Sequence, residues 1–327
     1  MEVTKRSREE NVLFSPDEDL AWNAFKTKFN KSYKTGIIEG EHKKWYLDRR
    51  AEIVQHNKEF NEGLVDFEMD LNDISDYTMD EVNKLNGIVF NETNFQLLMS
   101  NEEEDFDFFK EIKVPDSIDW VAKGYVARVR YQSACGSCHI FAALAVIEAA
   151  VKRKTGKLYS LSPQHVMDCS KGNQCNGGWM IATYEFVKKN KINLDSDYPY
   201  IMKDTNKCKV KKTKTVGSVS KIINLKAYDE NNLKKIVGTI GPVAVGIYAS
   251  APSLVNYKGG VYSDKACMKQ INHGVVIVGY GGGTKGVPPF WKVKNSWGDT
   301  WGEKGYFRIK RGSNMCQIAK APNYVIA

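Results

Sequence analysis

Apolar and polar positions in residues 17–62 recur with helical spacing. Trp22, Phe25 and Phe29 fall at i, i+3 and i+7 on a charged stretch, which predicts helix throughout 17–62. Within it, E-H-K-K-W-Y-L-D-R-R-A-E-I-V-Q-H-N-K-E-F places Trp45, Tyr46, Arg49, Ile53 and Asn57 near one face. Residues 66–90 read as acidic and turn-like, with a brief helix at Thr78–Leu85. N-E-E-E-D-F-D at 101–107 is a charge run with the composition of a solvated linker, open to proteolysis. From Val114-Pro115 onward helix and strand mix. Cys138 to about Lys154 predicts a largely buried helix, with Phe141, Leu144, Ala145 and Ile147-Glu148-Ala149 inside, and Trp179–Lys189 predicts another. After Pro242 the period becomes that of strands: Val243–Tyr248, Gly274–Tyr280, Trp291–Asn295 and Tyr306–Lys310, each bounded by glycine or proline. Helices first and strands later suggest two packed halves with a groove between them.

Charge sharpens the division. Residues 1–113 carry 15 Lys+Arg against 26 Asp+Glu, a net of −11, while 114–327 carry 32 against 13, a net of +19. Two blocks of opposite sign should attract each other, or each serve a separate partner. The basic residues are dispersed except at Lys207–Lys214 and have no aromatic platform beside them, so nucleic acid is not expected as a partner. No run of 18 apolar residues exists, so no transmembrane helix and no membrane partner are expected. The first twenty residues lack the apolar stretch of a secretory signal; either the chain is not exported by that route or its start is missing.

All seven cysteines lie in the basic part, at 135, 138, 169, 175, 208, 267 and 316. Six can pair and one is left over, which suggests disulfides, an oxidising compartment and one free thiol. Residues 133–141, S-A-C-G-S-C-H-I-F, satisfy the haem-attachment pattern C-x-x-C-H and the redox or zinc half-site C-x-x-C. They also come close to a cysteine-protease nucleophile motif. Haem would need a second axial ligand, and the five histidines mark no haem bundle. Zinc would need a second pair, and Cys169 and Cys175 have the wrong spacing for a knuckle. A thioredoxin-like pair would need a βαβ context.

The nucleophile reading explains more of the chain. A thiolate is the reactive form and needs nearby positive charge, part of which a helix N-terminus supplies. A histidine held by a third group supplies the rest. His273 in I-N-H-G-V-V-I-V-G-Y-G opens a strand 135 residues after Cys138, and Asn295 in W-K-V-K-N-S-W-G ends the next one.

With Q-x-x-C-G-S-C, N-H-G and K-N-S-W-G together, the chain resembles a proenzyme of the papain family, closest in pattern to the cathepsin L type, from about Asp19 to the C-terminus. The resemblance implies an α+β, two-lobed papain-like fold: a helical left lobe, a β-barrel-like right lobe and a cleft between, preceded by a helical inhibitory prosegment. It implies residues 1–16 as a tail, 17–90 as prosegment, 91–113 as a linker with the maturation site, and 114–327 as the peptidase domain. Cys138 would be the nucleophile, His273 the acid/base, and Asn295 the group orienting the imidazole, with Trp297 shielding their bond. Gln132 and the Cys138 backbone N–H would form the oxyanion hole. Six cysteines would pair as Cys135–Cys175, Cys169–Cys208 and Cys267–Cys316.

Gly177, Gly178 and Asn272 would meet substrate backbone, while Trp179, Met180, Gly246, Ile271, Gly274 and Ala321 would line the pocket for the second residue before the scissile bond. That set implies a preference for bulky apolar residues there over Arg or Lys. No cofactor and no metal are expected. The implied partners are protein or peptide substrates, the chain's own prosegment and cystatin-like inhibitors, acting on a monomer in a lysosome, a vacuole or outside the cell. On this reading Asn30 and Asn91 are glycan acceptors if the chain is secreted.

Several positions depart from the pattern. His139 stands for the usual aromatic residue after the nucleophile, and Ser133 for the usual glycine after Gln132. L-N-D-I-S-D (71–76) keeps Asn72 and Asp76 of the prosegment motif, while His42, Tyr46 and Arg49 replace the usual Arg, aromatic and Asn of its long helix. The alternative function is a catalytically weak homologue acting as a binding or inhibitory protein. Acid should neutralise prosegment carboxylates and loosen their pairing with the basic domain.

Overall fold

The computed structural model describes residues 15–91, 113–171, 174–205, 207–210, 215–284 and 286–327. The expected N-terminal tail and the linker thus fall almost wholly outside the described residues, as does the end of the Lys207–Lys214 run.

The acidic part is not one continuous helix. α1 (Pro16–Lys28) starts at Ser15, whose hydroxyl accepts from the Glu18 N–H while Glu18 reaches back, a reciprocal cap. It stops because Asn30 takes a left-handed φ of 50° and the chain turns. α2 (Gly36–Asn61) restarts at a Thr35 cap and packs across α1. Their shared core is small: Trp22, Phe25 and Tyr46, with ring centroids 4.7–5.5 Å apart. Charge fills the remainder. The buried Asp76 carboxylate accepts from Lys31 Nζ at 2.8 Å and Tyr33 Oη at 2.7 Å, and Arg49 donates to the Ile74 carbonyl. The turn-like stretch also holds an unforeseen strand, β1 (Phe67–Met69), before α3 (Met79–Leu85), which Thr78 and Glu81 cap.

The basic part has two halves. One holds α4 (Cys138–Thr155), α5 (Pro163–Cys169), α6 (Met180–Lys189) and the short pair β3 (Ile192–Asn193) and β4 (Thr215–Val216). α4 is buried along thirteen of its eighteen residues and ends at Gly156, whose φ of 75° gives a left-handed cap. The one acid buried within it, Glu148, accepts on Oε1 from Arg130 at 3.2 Å and from the Leu161 N–H at 2.8 Å.

The other half contains β2 (Ile118–Asp119), β5 (Lys221–Asn224), α7 (Glu230–Thr239), β6 (Val243–Ile247), α8 (Pro252–Val255), β7 (Tyr257–Tyr262), β8 (His273–Gly281), β9 (Phe290–Lys294), β10 (Tyr306–Lys310) and β11 (Asn323–Ile326). Its strands run in the order β1-β7-β10-β9-β8-β6-β11-β5, with β2 on β8. This path is open at both ends rather than a closed barrel, and the acidic part supplies its edge strand, β1. The α4 helix packs on β8, β6 and β11 between the halves.

Direct charge pairing between the two parts is sparse. Among the described residues Lys258 joins them, 2.9 Å from Glu68 and 3.6 Å from Asp70. Otherwise contact runs through the β1–β7 pairing, apolar side chains such as Phe67, Met69 and Ile74 buried in the neighbouring core, and polar side chains: Asn72 Nδ2 donates to the Val255 carbonyl at 2.8 Å, and Ser75 Oγ to Asn256 Oδ1 at 2.7 Å. No helix among the described residues is long and apolar enough to cross a membrane.

Candidate active site

Six cysteines are bridged as Cys135–Cys175, Cys169–Cys208 and Cys267–Cys316, and Cys138 is free. The first bridge takes Cys135 out of the C-x-x-C pair, leaving one sulfur in the first turn of α4. That sulfur is buried. It accepts N–H bonds from Gly274 at 3.3 Å and from Gly87 of the acidic part at 3.2 Å. Gly274 has to be small, since a Cβ there would lie 3.3 Å from the Cys138 carbonyl.

His273 opens β8 beside α4 and is fully buried. Its Nε2 donates to Asn295 Oδ1 at 2.8 Å, which leaves Nδ1 as the unprotonated nitrogen of the neutral ring. The Trp297 ring centroid lies 4.9 Å from that of the imidazole. Burial pushes the Cys138 thiol up to about 11, partly offset by the backbone N–H groups on the sulfur. Burial likewise pushes His273 down to about 4, with Asn295 and the Leu85 carbonyl opposing. Both groups are therefore neutral at pH 7 while the cleft is covered.

Gln132 reaches the site from the stretch beside 296–297, where Tyr131 bridges to Trp297 and the Gln132 N–H donates to the Ser296 carbonyl at 2.9 Å. Its Nε2 donates to the Cys135 carbonyl and to the Leu85 carbonyl, each at 2.7 Å. Ser296 donates to Gln132 Oε1 at 2.6 Å, and its N–H donates to Asn295 Oδ1 at 2.8 Å. One serine thus orients two amides, the one facing the carbonyl oxygen and the one holding the imidazole. Ser296 lies inside the quoted K-N-S-W-G, but nothing in the motif reveals its partners.

Residues 85–90 run through the cleft. The Gly87 carbonyl accepts from the Gly178 N–H at 2.8 Å, Val89 donates to the Gly178 carbonyl at 3.0 Å, and Ile88 donates to the Asn272 carbonyl at 2.9 Å. The approach is so close that a Cβ on Gly87 would lie 1.7 Å from the Gly136 oxygen. Gly177 takes a φ of 99° at the same crossing. Ile88 belongs to the buried cluster that contains Met180, Ile271 and Ala321; Gly246 packs against Ile271, and Trp179 sits half-buried at the rim. A lone glycine in L-N-G-I-V-F was the available signal for this crossing. His139 is fully buried in α4, and Ser133 adopts a φ of 57°, the conformation that glycine takes without strain.

Residues 114–326 match the model of the papain family cysteine proteases, and residues 22–82 match that of the cathepsin propeptide inhibitor domain. Among curated relatives, cathepsin S of Bos taurus is 38% identical over 320 residues, covering 96% of this chain and 94% of that protein. A cathepsin L-like peptidase of Aedes aegypti is 37% identical over 313 residues, covering 93% and 91%. Among solved structures, the digestive procathepsin L2 proteinase from Tenebrio molitor larval midgut superposes with a TM-score of 0.85 at 32% identity, covering 95% of this chain and 100% of that one. The proform of the ragweed pollen allergen cysteine protease Amb a 11 gives 0.82 at 31%, covering 98% of each. The chain belongs to the papain family of cysteine proteases and carries a cathepsin-type propeptide domain packed on the protease.

Proposed function

We propose that this papain-family chain is the latent form of a cysteine endopeptidase working through Cys138, His273, Asn295 and Gln132. The observation that carries the reading is the placing of one carbonyl oxygen. Gln132 Nε2 donates to the Leu85 oxygen, which stands in for a substrate's acyl oxygen, while Gly87, two residues on, offers the free sulfur an N–H.

Once the prosegment leaves, water and substrate enter, and a proton moves from the Cys138 thiol to His273 Nδ1. The thiolate attacks the scissile carbonyl carbon, and the oxyanion is held by Gln132 Nε2–H and the Cys138 N–H. His273 then protonates the leaving amine, the C–N bond breaks, and a thioester remains. A water, losing a proton to His273, adds to the thioester and releases the acid and the thiol. Ser296 keeps the Gln132 amide group turned the right way throughout.

Met180, Gly246, Ile271, Gly274 and Ala321, with Trp179 at the rim, supply an apolar pocket with no acid in it. Leu or Phe at the second position before the scissile bond should therefore be cleaved faster than Arg or Lys. The prosegment (17–90) acts as an intramolecular inhibitor, and maturation falls in 91–113, freeing 114–327 as a monomer that cystatin-like inhibitors would block. The acidic compartment of a lysosome or vacuole, or the extracellular space, suits this chemistry. Acid acts mainly within the prosegment, because its carboxylates pair with its own lysines more than with the basic domain.

The test is covalent. After acid treatment a peptidyl epoxide should label Cys138 stoichiometrically, and Cys138→Ser should abolish both labelling and hydrolysis. Labelling elsewhere, or hydrolysis that survives Cys138→Ser, overturns the assignment.

A further inference from the structure

Side chains 88–90 alternate along the cleft as an extended strand requires: Ile88 is buried, Val89 is 62% exposed, and Phe90 turns back toward the protein. Phe90 lies between two groups of the basic domain. The Trp179 ring meets it edge-on at 5.4 Å, and Lys320 Nζ stands over its face at 5.0 Å. Lys320 is 7% exposed, and its ammonium also donates to Gln270 Oε1 at 3.3 Å. A cation facing an aromatic ring is a recognition pair whose strength rises as water is excluded.

We infer that Trp179 and Lys320 form a clamp for an aromatic side chain at the fourth residue before the scissile bond, a specificity site for this enzyme. The inference rests on the protease reading above. The register follows from the cleft segment. Gly87 lies on the sulfur, Ile88 bridges to Gly178 and donates to the carbonyl of Asn272, which follows Ile271 of the apolar set, and Phe90 is two residues farther out. Whichever direction a strand runs along Gly178, side chains two apart point the same way, so a substrate filling the apolar pocket presents its next same-side residue to the clamp. Phe90 occupies the clamp in the latent form. Release of the prosegment frees the clamp together with the nucleophile.

The test uses the activated enzyme, its concentration fixed by epoxide titration of Cys138. Acetyl-X-Val-Leu-Gly-aminocoumarin peptides with X as Phe, Ala or Glu are compared by kcat/KM. Phe should exceed Ala roughly three- to tenfold. Lys320→Met, which keeps the aliphatic stem, should bring that ratio down to about two or less, since the ring face loses its cation. An unchanged ratio in Lys320→Met overturns the clamp, as does a preference for Glu over Phe, which would mark an ion-pair subsite instead. So does an aromatic preference that appears one position nearer the scissile bond. Cleavage of the Ala peptide reports on the protease reading separately. If no peptide is cut by titrated enzyme, that reading fails and the clamp with it.

Discussion

The prosegment and the protease domain are held together by different physics. The protease domain has a contiguous apolar core, three disulfides and an α4 buried along thirteen of its eighteen residues, means that persist through changes of pH. The prosegment has a separate core of three aromatic rings, a buried carboxylate serving two donors and a three-residue edge strand on its neighbour's sheet, and it inserts Phe67, Met69, Ile74, Val82, Leu85 and Ile88 into its neighbour's apolar core. Its last stretch, in the cleft, is held by backbone bonds, the close approach of glycines and the burial of Leu85 and Ile88. Covalent bonds belong to the protease domain alone, whereas the prosegment adds charge pairs and borrowed hydrogen bonds to apolar contacts made on its neighbour.

Breaking the cleft crossing should have the largest effect. Gly87→Val places a branched side chain against the Gly136 carbonyl and should expel residues 86–90. Alkylation of Cys138 in the intact proenzyme at neutral pH should rise on the order of 100-fold, as expected when a few backbone bonds are lost. Labelling as slow as in the parent protein would mean that the cleft segment does not enforce latency.

Next comes the prosegment's buried carboxylate. Asp76→Asn removes the charge facing Lys31, which keeps its bond to the Asp73 carbonyl, and should cost the prosegment about 1–3 kcal/mol. Calorimetry should show the prosegment transition dropping while the transition of the disulfide-linked domain stays put. A shift of both together would show that the two regions unfold as one unit.

Acid should then separate the regions by pH window. Hydrogen bonds from Lys26 and Trp22 hold the Glu39 carboxyl below its usual range. The stabilisation from Glu39 is therefore present above about pH 4.5 and is lost as pH falls through the lowered folded value. In the protease domain burial pushes His165 down to about 4, while the unfolded ring titrates near ~6.5. Its contribution is full above about pH 6.5 and declines as pH falls toward 4, because the unfolded chain takes up the proton first. Glu39→Gln should flatten the prosegment's pH dependence below about 4.5, and His165→Gln the domain's between about 6.5 and 4, both read from thermal midpoints. The smallest expected change is Ser133→Gly, a gain of about 0.5–1 kcal/mol from relieving a left-handed φ, visible in the domain's denaturant midpoint.

Much of the architecture was legible locally. The apolar run after Cys138 gave α4 within a residue of its end, and the brief helix expected at Thr78–Leu85 is α3. The four strands expected between Val243 and Lys310 fell within a residue of β6, β8, β9 and β10, while β7 was not foreseen. What failed locally was the continuous helix over 17–62 and the turn-like reading of 66–69. Amphipathic spacing survives a turn at Asn30, and Phe67–Met69 is a strand only because β7 pairs with it. At the site, Cys138, His273 and Asn295 stood out as residue types in motifs. Ser296 and Lys320 did not, because their partners are remote in sequence: Gln132 is 164 positions from Ser296, and Phe90 is far upstream of Lys320.

From residue order alone came an odd sulfur among seven, two blocks of opposite charge, and the periods of the main helices and of four strands. The folded chain decided what that sulfur faces and in which protonation state. The N–H groups that touch it come from 51 and 136 positions away, and the burial that keeps thiol and imidazole neutral exists only once those segments close over them. Desolvation belongs to the assembled surface rather than to any residue, so no reading of the chain one position at a time contains it.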